Sequence, residues 1–244
     1  MPRIFSIEGN IGAGKTTIIE QLMKSFEGNK NIIFLREPVD LWQKIVDSNG
    51  EDILTKFYRD TPKYAFAFQI MAYTTRLAML RNAIRENPYC HAIVCERSLE
   101  ADCNVFAKML FDDTMIEDIN YSIYLQLYEA CKREFTVDGI IYIDADADVC
   151  HKRVITRARD GEGGVSLEYL IKCKKYHDEW LETSTTCEIL RIDANTDVCY
   201  DFENPEDKGI QWIRNIKSFI DTVGIVRGNV LACRNAIIHD NDAK

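Results

Sequence analysis

Short apolar runs alternate along the chain with longer stretches in which apolar residues recur every three or four positions. Arg3–Glu8 (RIFSIE), Asn31–Arg36 (NIIFLR), His91–Glu96 (HAIVCE), Gly139–Asp144 (GIIYID) and Glu188–Asp193 (EILRID) are short and rich in Ile and Val. Such runs suit strands covered on both faces of a parallel sheet. Helical periodicity covers Thr16–Phe26, Pro62–Glu86, Thr114–Phe135, Asp146–Arg157, Ser166–Glu182 and Ile210–Val223. Pro88 stops the longest of these. Five strands alternating with helices predict an α/β layered domain with right-handed crossovers. There is no internal repeat, Ser-rich linker or low-complexity segment. After Gly224 the periodicity weakens and the chain ends in IIHDNDAK, so residues 225–244 are expected to form an extension, either a docked helix or a frayed tail.

Composition narrows the class. A chain of 244 residues favours one large domain. Hydrophobic residues at 46% and charged residues at 28% exclude disordered and fibrous classes. A chain of this length buries roughly 70–75% of its unfolded surface and needs no metal or disulfide staple. No run approaches the about 18 apolar residues of a membrane-spanning helix. The balance of 30 basic and 39 acidic side chains gives −9, which argues against binding a polyanion such as nucleic acid. Small anionic ligands need only local positive charge and stay open. The nine cysteines contain no C-x-x-C pair and are expected to be reduced, buried thiols of a cytosol-like compartment. The N-terminus enters a strand at once, leaving no room for a targeting peptide, so the expected location is cytoplasmic. The histidines at 91, 151, 177 and 239 show no metal or triad spacing and are expected to be structural.

The first strand and helix are joined by Gly9-Asn10-Ile11-Gly12-Ala13-Gly14-Lys15-Thr16, which fits G-x-x-x-x-G-K-[ST], followed by Thr17. Glycines let such a loop curl so that backbone N–H groups point inward at phosphate oxygens. The helix N-terminus adds partial positive charge and Lys15 a full one. The Thr16 hydroxyl suits Mg²⁺, which prefers oxygen ligands. This pattern indicates a nucleoside triphosphate but not a reaction.

Other candidates gather at strand ends. The third strand closes on Glu96-Arg97-Ser98, at the end where parallel sheets bind ligands. Glu96 is a candidate Mg²⁺ ligand and Arg97 a brace for a transferring phosphoryl group. The second strand closes on Glu37, which Pro38 forces into an extended conformation, with Trp42 just beyond. Gln69 and Arg76 are seven apart on one helix and share a face, as do Asp102 and Phe106 four apart on the helix after Arg97. Gln69 carries a donor and an acceptor and can pair with the edge of a base. Arg153, Arg157 and Arg159 precede the turn Gly161-Glu162-Gly163-Gly164, creating local positive charge in an acidic chain.

Taken together, GNIGAGKTT at Gly9–Thr17, EPVDLW at Glu37–Trp42, Phe68-Gln69, Glu96–Ser98 and RARDGEGG at Arg157–Gly164 resemble the deoxynucleoside kinase family, in order, from about Arg3 to Val223. The resemblance implies an α/β fold, a P-loop NTPase-type three-layer domain with a five-stranded parallel sheet. It would span residues 1–224, with a lid at about 153–165. The implied reaction moves the γ-phosphoryl of ATP, or another NTP, to the 5′-hydroxyl of a deoxynucleoside, with Mg²⁺ as cofactor and a homodimer as the assembly.

By the same resemblance, Glu37 meets the 5′-hydroxyl as candidate base, while Glu96 is either the metal-side acid or the base. Arg97 bridges hydroxyl and phosphoryl oxygens. Gln69, Arg76 and Asp102 line the base pocket, and Phe68 and Phe106 flank the ring. Tyr58 and Glu162 meet the sugar 3′-hydroxyl, and Thr196-Asp197-Val198 border the donor adenine. The family pattern commonly has an acid where this chain has Gly161. The Arg76–Asp102 pair suits an exocyclic amine and fills the space of a thymine methyl, which implies deoxycytidine, deoxyadenosine or deoxyguanosine ahead of thymidine. Two alternatives stand beside this. A nucleoside monophosphate kinase shares the loop and lid but usually carries Asp-Arg where this chain has Glu96-Arg97. A non-catalytic nucleotide-binding accessory subunit would not require Lys15, Thr16, Glu37, Glu96 and Arg97 together.

Overall fold

The structure, a computed structural model, describes residues 1–158, 164–183 and 187–223. β1 (Arg3–Gly9) runs through the glycine loop into α1 (Lys15–Ser25). β2 (Ile32–Leu35) leads to the short α2 (Val39–Trp42), then α3 (Ile53–Arg59) and the long α4 (Thr61–Glu86). β3 (Ala92–Glu96) opens a helix that begins as α5 (Leu99–Ala101), widens into a π-helical segment (Asp102–Ala107) and ends as α6 (Lys108–Asp112). α7 (Asp118–Cys131), β4 (Gly139–Asp144), α8 (Ala147–Arg157), α9 (Leu167–Thr183), β5 (Glu188–Asp193) and α10 (Lys208–Thr222) complete the described chain.

The five strands form one parallel sheet in the order β2-β3-β1-β4-β5. Period-two alternation sorts their side chains to two faces. Phe5, Ile7, Val94, Ile141 and Ile143 pack with Ile18, Ile19 and Leu22 of α1 and with Ile213, Ile216 and Ile220 of α10. On the other face, Ile4, Ile93 and Cys95 meet Tyr73 and Leu77 of α4 and Tyr124 of α7. Ile140 and Tyr142 meet Phe106, Cys173 and Trp180. Both faces of the central strands are covered, which is why those strands read as unbroken apolar runs. The three-layer α/β class with five parallel strands is therefore the observed one.

This order also positions the site. The chain leaves β1 toward β2 and leaves β3 in the opposite direction, toward β4, so a topological switch point lies between the two adjacent strands. Ligands of open α/β sheets bind outside the carboxyl ends of strands at such a point. The register Ile7↔Glu96 and Leu35↔Cys95 brings the ends of β1, β2 and β3 level there.

Three elements differ from the sequence expectation. α2 and α3 are too short to show periodicity; α3 is fixed by its cap, Asp52 accepting from the N–H groups of Leu54 and Thr55 at 2.9 and 3.0 Å. The helix expected over Thr114–Phe135 spans only Asp118–Cys131. Thr114 is left-handed at φ 61°, and the N–H groups of Met115 and Ile116 both donate to the Leu110 carbonyl. That wrap turns Ile116 into the cluster of Trp42, Leu54, Phe57 and Phe68. The expected extension at 225–244, and residues 159–163 of the expected lid, lie outside the described residues.

The loop after β1 depends on Gly12, which has φ +84° and packs against α8. A Cβ there would approach the Cys150 carbonyl oxygen to 2.5 Å and Val154 Cγ2 to 2.9 Å. Gly12→Ala should lower stability by about 2 kcal/mol or more, combining left-handed strain with a backbone clash. Urea unfolding measures this; an unshifted midpoint would mean that the loop adopts another shape.

Candidate active site

The glycine loop is tied down from below. Asn10 Nδ2 donates to the Leu170 carbonyl of α9 at 2.8 Å, and its Oδ1 accepts from Ile11 N–H at 2.9 Å. Lys15 is buried, and its Nζ donates to the carbonyls of Asn10 at 2.8 Å and Gly9 at 3.2 Å. Burial, and then the charge of Arg97, push the Lys15 ammonium down to about 8, against the pull of Glu37, Glu96 and Glu8. Orphan N–H groups of the first turn of α1 lie beside it, and that turn carries no acidic residue to compete for them.

Arg76 is the hub of the acceptor side. Its Nε donates to Asp102 Oδ2 at 2.8 Å, and its Nη2 to Asp102 Oδ1 at 3.3 Å and Glu37 Oε1 at 3.2 Å. Its Nη1 donates to the Glu96 backbone carbonyl at 3.0 Å. Arg97 Nε reaches the same Glu37 Oε1 at 3.4 Å, and its Nη1 reaches the Gly9 carbonyl at 3.3 Å. The Arg97 guanidinium lies 4.4 Å from the Phe106 ring centre. Arg97 also holds φ 73°, a left-handed strain that non-glycine residues accept chiefly where surrounding contacts dictate it. Burial opposes ionisation of Glu37, yet Arg97, Arg76 and Lys15 outweigh it and hold the carboxyl down at about 2. Glu96 is engaged at both oxygens: Oε1 accepts from Thr16 Oγ1 at 2.6 Å and Oε2 from Glu37 N–H at 3.3 Å.

These groups open onto one cavity of about 810 Å³. Ile11, Gly12, Ala13, Gly14, Lys15, Thr16 and Thr17 form one wall, joined by Arg153, Arg157, Thr196, Asp197 and Val198. Glu37, Trp42, Tyr58, Phe68, Gln69, Arg76, Glu96, Arg97, Asp102 and Phe106 line the remainder. The seven-residue spacing of Gln69 and Arg76 thus puts both on a cavity wall. Gly9 and Asn10 do not line the cavity; the Asn10 side chain is spent on holding the loop. Arg159 and Glu162 lie outside the described residues.

The aromatic half of the cavity is stiff. Phe57 and Phe68 stack with centroids 4.5 Å apart and planes 12° apart, Trp42 meets Phe68 edge-on at 5.5 Å, and Trp42 Nε1 donates to Thr75 Oγ1 at 3.0 Å. Gln69 is buried, and its Oε1 finds no partner among the described residues. A buried acceptor left unbonded costs free energy, so this atom suits a donor on a bound ligand. On the far side, Arg153 Nη2 pairs with Asp197 Oδ1 at 2.8 Å, and Lys208 Nζ donates to Thr196 Oγ1 at 2.9 Å.

Sequence reasoning missed several lining residues. Phe57 and Tyr169 line the acceptor side, and Tyr200 and Trp212 the side near Val198. Phe57 precedes Tyr58 and could have been flagged as its neighbour, but Tyr169 sits on an amphipathic helix with nothing to separate it from core. Among the described residues no cluster of three His, Cys, Asp or Glu side chains gathers to hold a metal ion. The Thr16 hydroxyl and Glu96 carboxylate do supply two adjacent oxygen donors beside the loop, chemistry that fits a hard cation sharing its remaining positions with phosphate and water.

Just beyond Ser98, burial pushes the Glu100 carboxyl up to about 7, with the charges of Glu8 and Asp102 adding to it. A carboxyl raised by folding favours the protonated native state, so its destabilising effect grows as pH rises from its unfolded value to about 7. Glu100→Gln should therefore raise the melting temperature by a few degrees at pH 8 and leave it unchanged near pH 4. Calorimetry across that range checks this; an equal shift at both pH values would contradict it.

Comparison with known proteins adds an independent line. A family model described as deoxynucleoside kinase matches residues 5–221. The chain is 33% identical over 227 residues to a probable deoxycytidine kinase of Fowlpox virus, covering 90% of this chain and 89% of that protein. It is 29% identical to deoxycytidine kinase of Homo sapiens, covering 89% and 91% of the two chains. It is 27% identical to a mitochondrial deoxyguanosine kinase of Xenopus laevis, covering 88% of each.

Proposed function

The chain belongs to the deoxynucleoside kinase family, and from that premise we propose how its site divides the work of moving the γ-phosphoryl of ATP to the 5′-hydroxyl of a deoxynucleoside. It is an ATP-dependent phosphotransferase of nucleotide salvage. One observation carries the division of labour. Glu37 joins the two halves of the cavity: Arg76 and Arg97 meet on its Oε1, and its backbone N–H donates to Glu96, whose other oxygen accepts from Thr16.

Glu37 is the base that accepts the 5′-hydroxyl proton as that oxygen attacks the γ-phosphorus and ADP leaves. Glu96 Oε1 is held by the Thr16 hydroxyl and Oε2 by the Glu37 backbone N–H, which supports Glu96 as the metal-side acid instead. A carboxyl held near 2 is a weak base, but it is ionised at any working pH and so stands ready to bind the hydroxyl. Arg97 bridges the hydroxyl and the phosphoryl oxygens. The loop Gly9–Thr17 and Lys15 cradle the donor phosphates, with Arg153 and Arg157 adding positive charge in the same cavity and the same role proposed for Arg159. Mg²⁺, held by Thr16 and Glu96, would neutralise charge on the transferring phosphates. Thr196, Asp197 and Val198 border the donor base, and Arg153 and Arg157, from the proposed lid, line the same cavity.

For the acceptor, Phe68 and Phe106 sandwich the base, Gln69 pairs with its edge, Trp42 backs it, and Tyr58 with Glu162 holds the sugar 3′-hydroxyl. The bidentate Arg76–Asp102 pair and the unbonded Gln69 Oε1 favour a base with an exocyclic amine. Deoxycytidine, deoxyadenosine and deoxyguanosine are therefore proposed ahead of thymidine, in line with the deoxycytidine and deoxyguanosine kinases that the chain resembles. The enzyme is proposed to be cytoplasmic and to act as a homodimer. Ile119 and Ile123 are 67% and 51% exposed one turn apart on α7, an apolar face suited to a second copy. No helix among the described residues is long and apolar enough to cross a membrane.

With labelled ATP and magnesium, a panel of four deoxynucleosides plus dTMP and dCMP should give 5′-monophosphates from the deoxynucleosides, with thymidine the weakest by kcat/KM. Thymidine as best substrate would discard the base assignment, and monophosphate acceptors outrunning nucleosides would discard the acceptor assignment. Lys15→Ala should lower kcat by about a hundredfold or more while the protein still melts cooperatively. Undiminished transfer would remove the loop from the mechanism.

A further inference from the structure

α9 carries a buried histidine beside the phosphoryl-bridging arginine. His177 is 0% exposed. Its Nδ1 lies 2.7 Å from the Cys173 carbonyl, an atom that can only accept, so Nδ1 carries the proton and Nε2 a free lone pair. That Nε2 is 3.5 Å from Arg97 Nη1. The ring is fixed on two further sides: Tyr142 of β4 stacks on it with centroids 6.0 Å apart, and Phe106 meets it edge-on at 5.9 Å. Phe106 is the same ring whose face lies under the Arg97 guanidinium. Leu170, Cys173 and His177 are spaced i, i+3, i+7 along α9, so one helix face anchors the glycine loop through Asn10 and reaches Arg97 two turns later.

We propose that His177 is a positioning residue: it is the acceptor that holds the Arg97 guanidinium between the glycine loop and Glu37, turned toward the transferring phosphoryl group. This rests on the phosphoryl-bridging role proposed above for Arg97. The arginine needs such a hold because its backbone is strained and, among the described residues, its Nη1 otherwise has only the Gly9 carbonyl, at 3.3 Å. An imidazole is suited to the task in a way a carboxylate is not. Burial and the charge of Arg97 keep His177 well below its ordinary range, so it accepts a hydrogen bond as a neutral group. It fixes direction without cancelling the positive charge that must act on phosphate. A carboxylate at the same place would fix direction and neutralise that charge.

The test is a set of substitutions read by steady-state kinetics. His177→Asn keeps a donor for the Cys173 carbonyl but loses the acceptor facing Arg97, whereas His177→Gln can return an oxygen to the Nε2 position. His177→Asn should lower kcat about tenfold with KM for both substrates nearly unchanged, the size of one lost hydrogen bond to a charged group, and His177→Gln should recover most of it. Arg97→Ala should lower kcat strongly, and His177→Asn added to it should change kcat no further. Equal losses in the Asn and Gln variants, a change confined to KM, or a full loss persisting in the Arg97→Ala background would each overturn the inference. Arg97→Ala with undiminished kcat would instead overturn the role of Arg97 and this inference with it. Should His177→Asn fail to fold, comparing His177→Gln with His177→Glu decides the matter: a lower kcat for Glu supports a neutral acceptor, and equal rates refute it.

Discussion

A guanidinium deep in the protein sets the terms for everything on the acceptor side of this cavity. Arg76 is only 7% exposed, and removing such a charge from water costs several kcal/mol unless every direction is answered. Here the answers come from three separate elements. Asp102 is bidentate from the π-helical segment, Glu37 comes from the end of β2, and the Glu96 carbonyl from the end of β3. The folded state cannot shift any of them without stranding a charge. That requirement, together with the packing of Tyr73, Leu77 and Leu80 on Ile93 and Cys95, fixes the carboxyl ends of β2 and β3 relative to α4.

The same constraint explains the electrostatics. Two guanidiniums and an ammonium converge on Glu37, so its carboxyl is held at the acidic limit although burial alone would raise it. Arg76 in turn stays charged because Asp102 and Glu37 outweigh its own burial. Lys15 lacks such complete compensation; burial and Arg97 lower it toward neutrality. A triphosphate entering the loop would supply the missing anion, so donor binding and full protonation of Lys15 favour each other. The chain's own groups thus compensate one another on the acceptor side and leave the Lys15 charge only partly answered on the donor side.

How much of this could be read from the chain follows from which interactions are local. The strands were legible because both faces of the central ones are buried, and the loop Gly9–Thr16 because its backbone shape demands glycine at fixed offsets. Gln69 and Arg76 were legible as a pair through helical spacing alone. α3 was not, since its seven residues are too few to show a period and the Asp52 cap, though local, leads into a helix held by docking Leu54 and Phe57 against Phe68. The early part of the helix expected at Thr114 was overridden by tertiary burial of Ile116. Asn10 looked like a phosphate-facing loop residue, but its side chain bonds a helix 160 positions away. Tyr169 and His177 sit on an amphipathic helix, and only the fold says that its inward face ends at the site.

An acidic chain that handles polyphosphate poses an apparent contradiction, and scale resolves it. The net charge of −9 is a property of the whole surface, and at physiological salt a charge more than about 8 Å away is largely screened. A ligand inside the cavity instead feels Lys15, Arg97, Arg153 and Arg157 at close range, in surroundings less polarisable than water. A chain of net negative charge can thus still present local positive charge where a small anion binds. Because that charge sits at the end of β1 and the junction carboxylate at the end of β2, the sheet order that places the two strands on either side of β3 is itself part of the site.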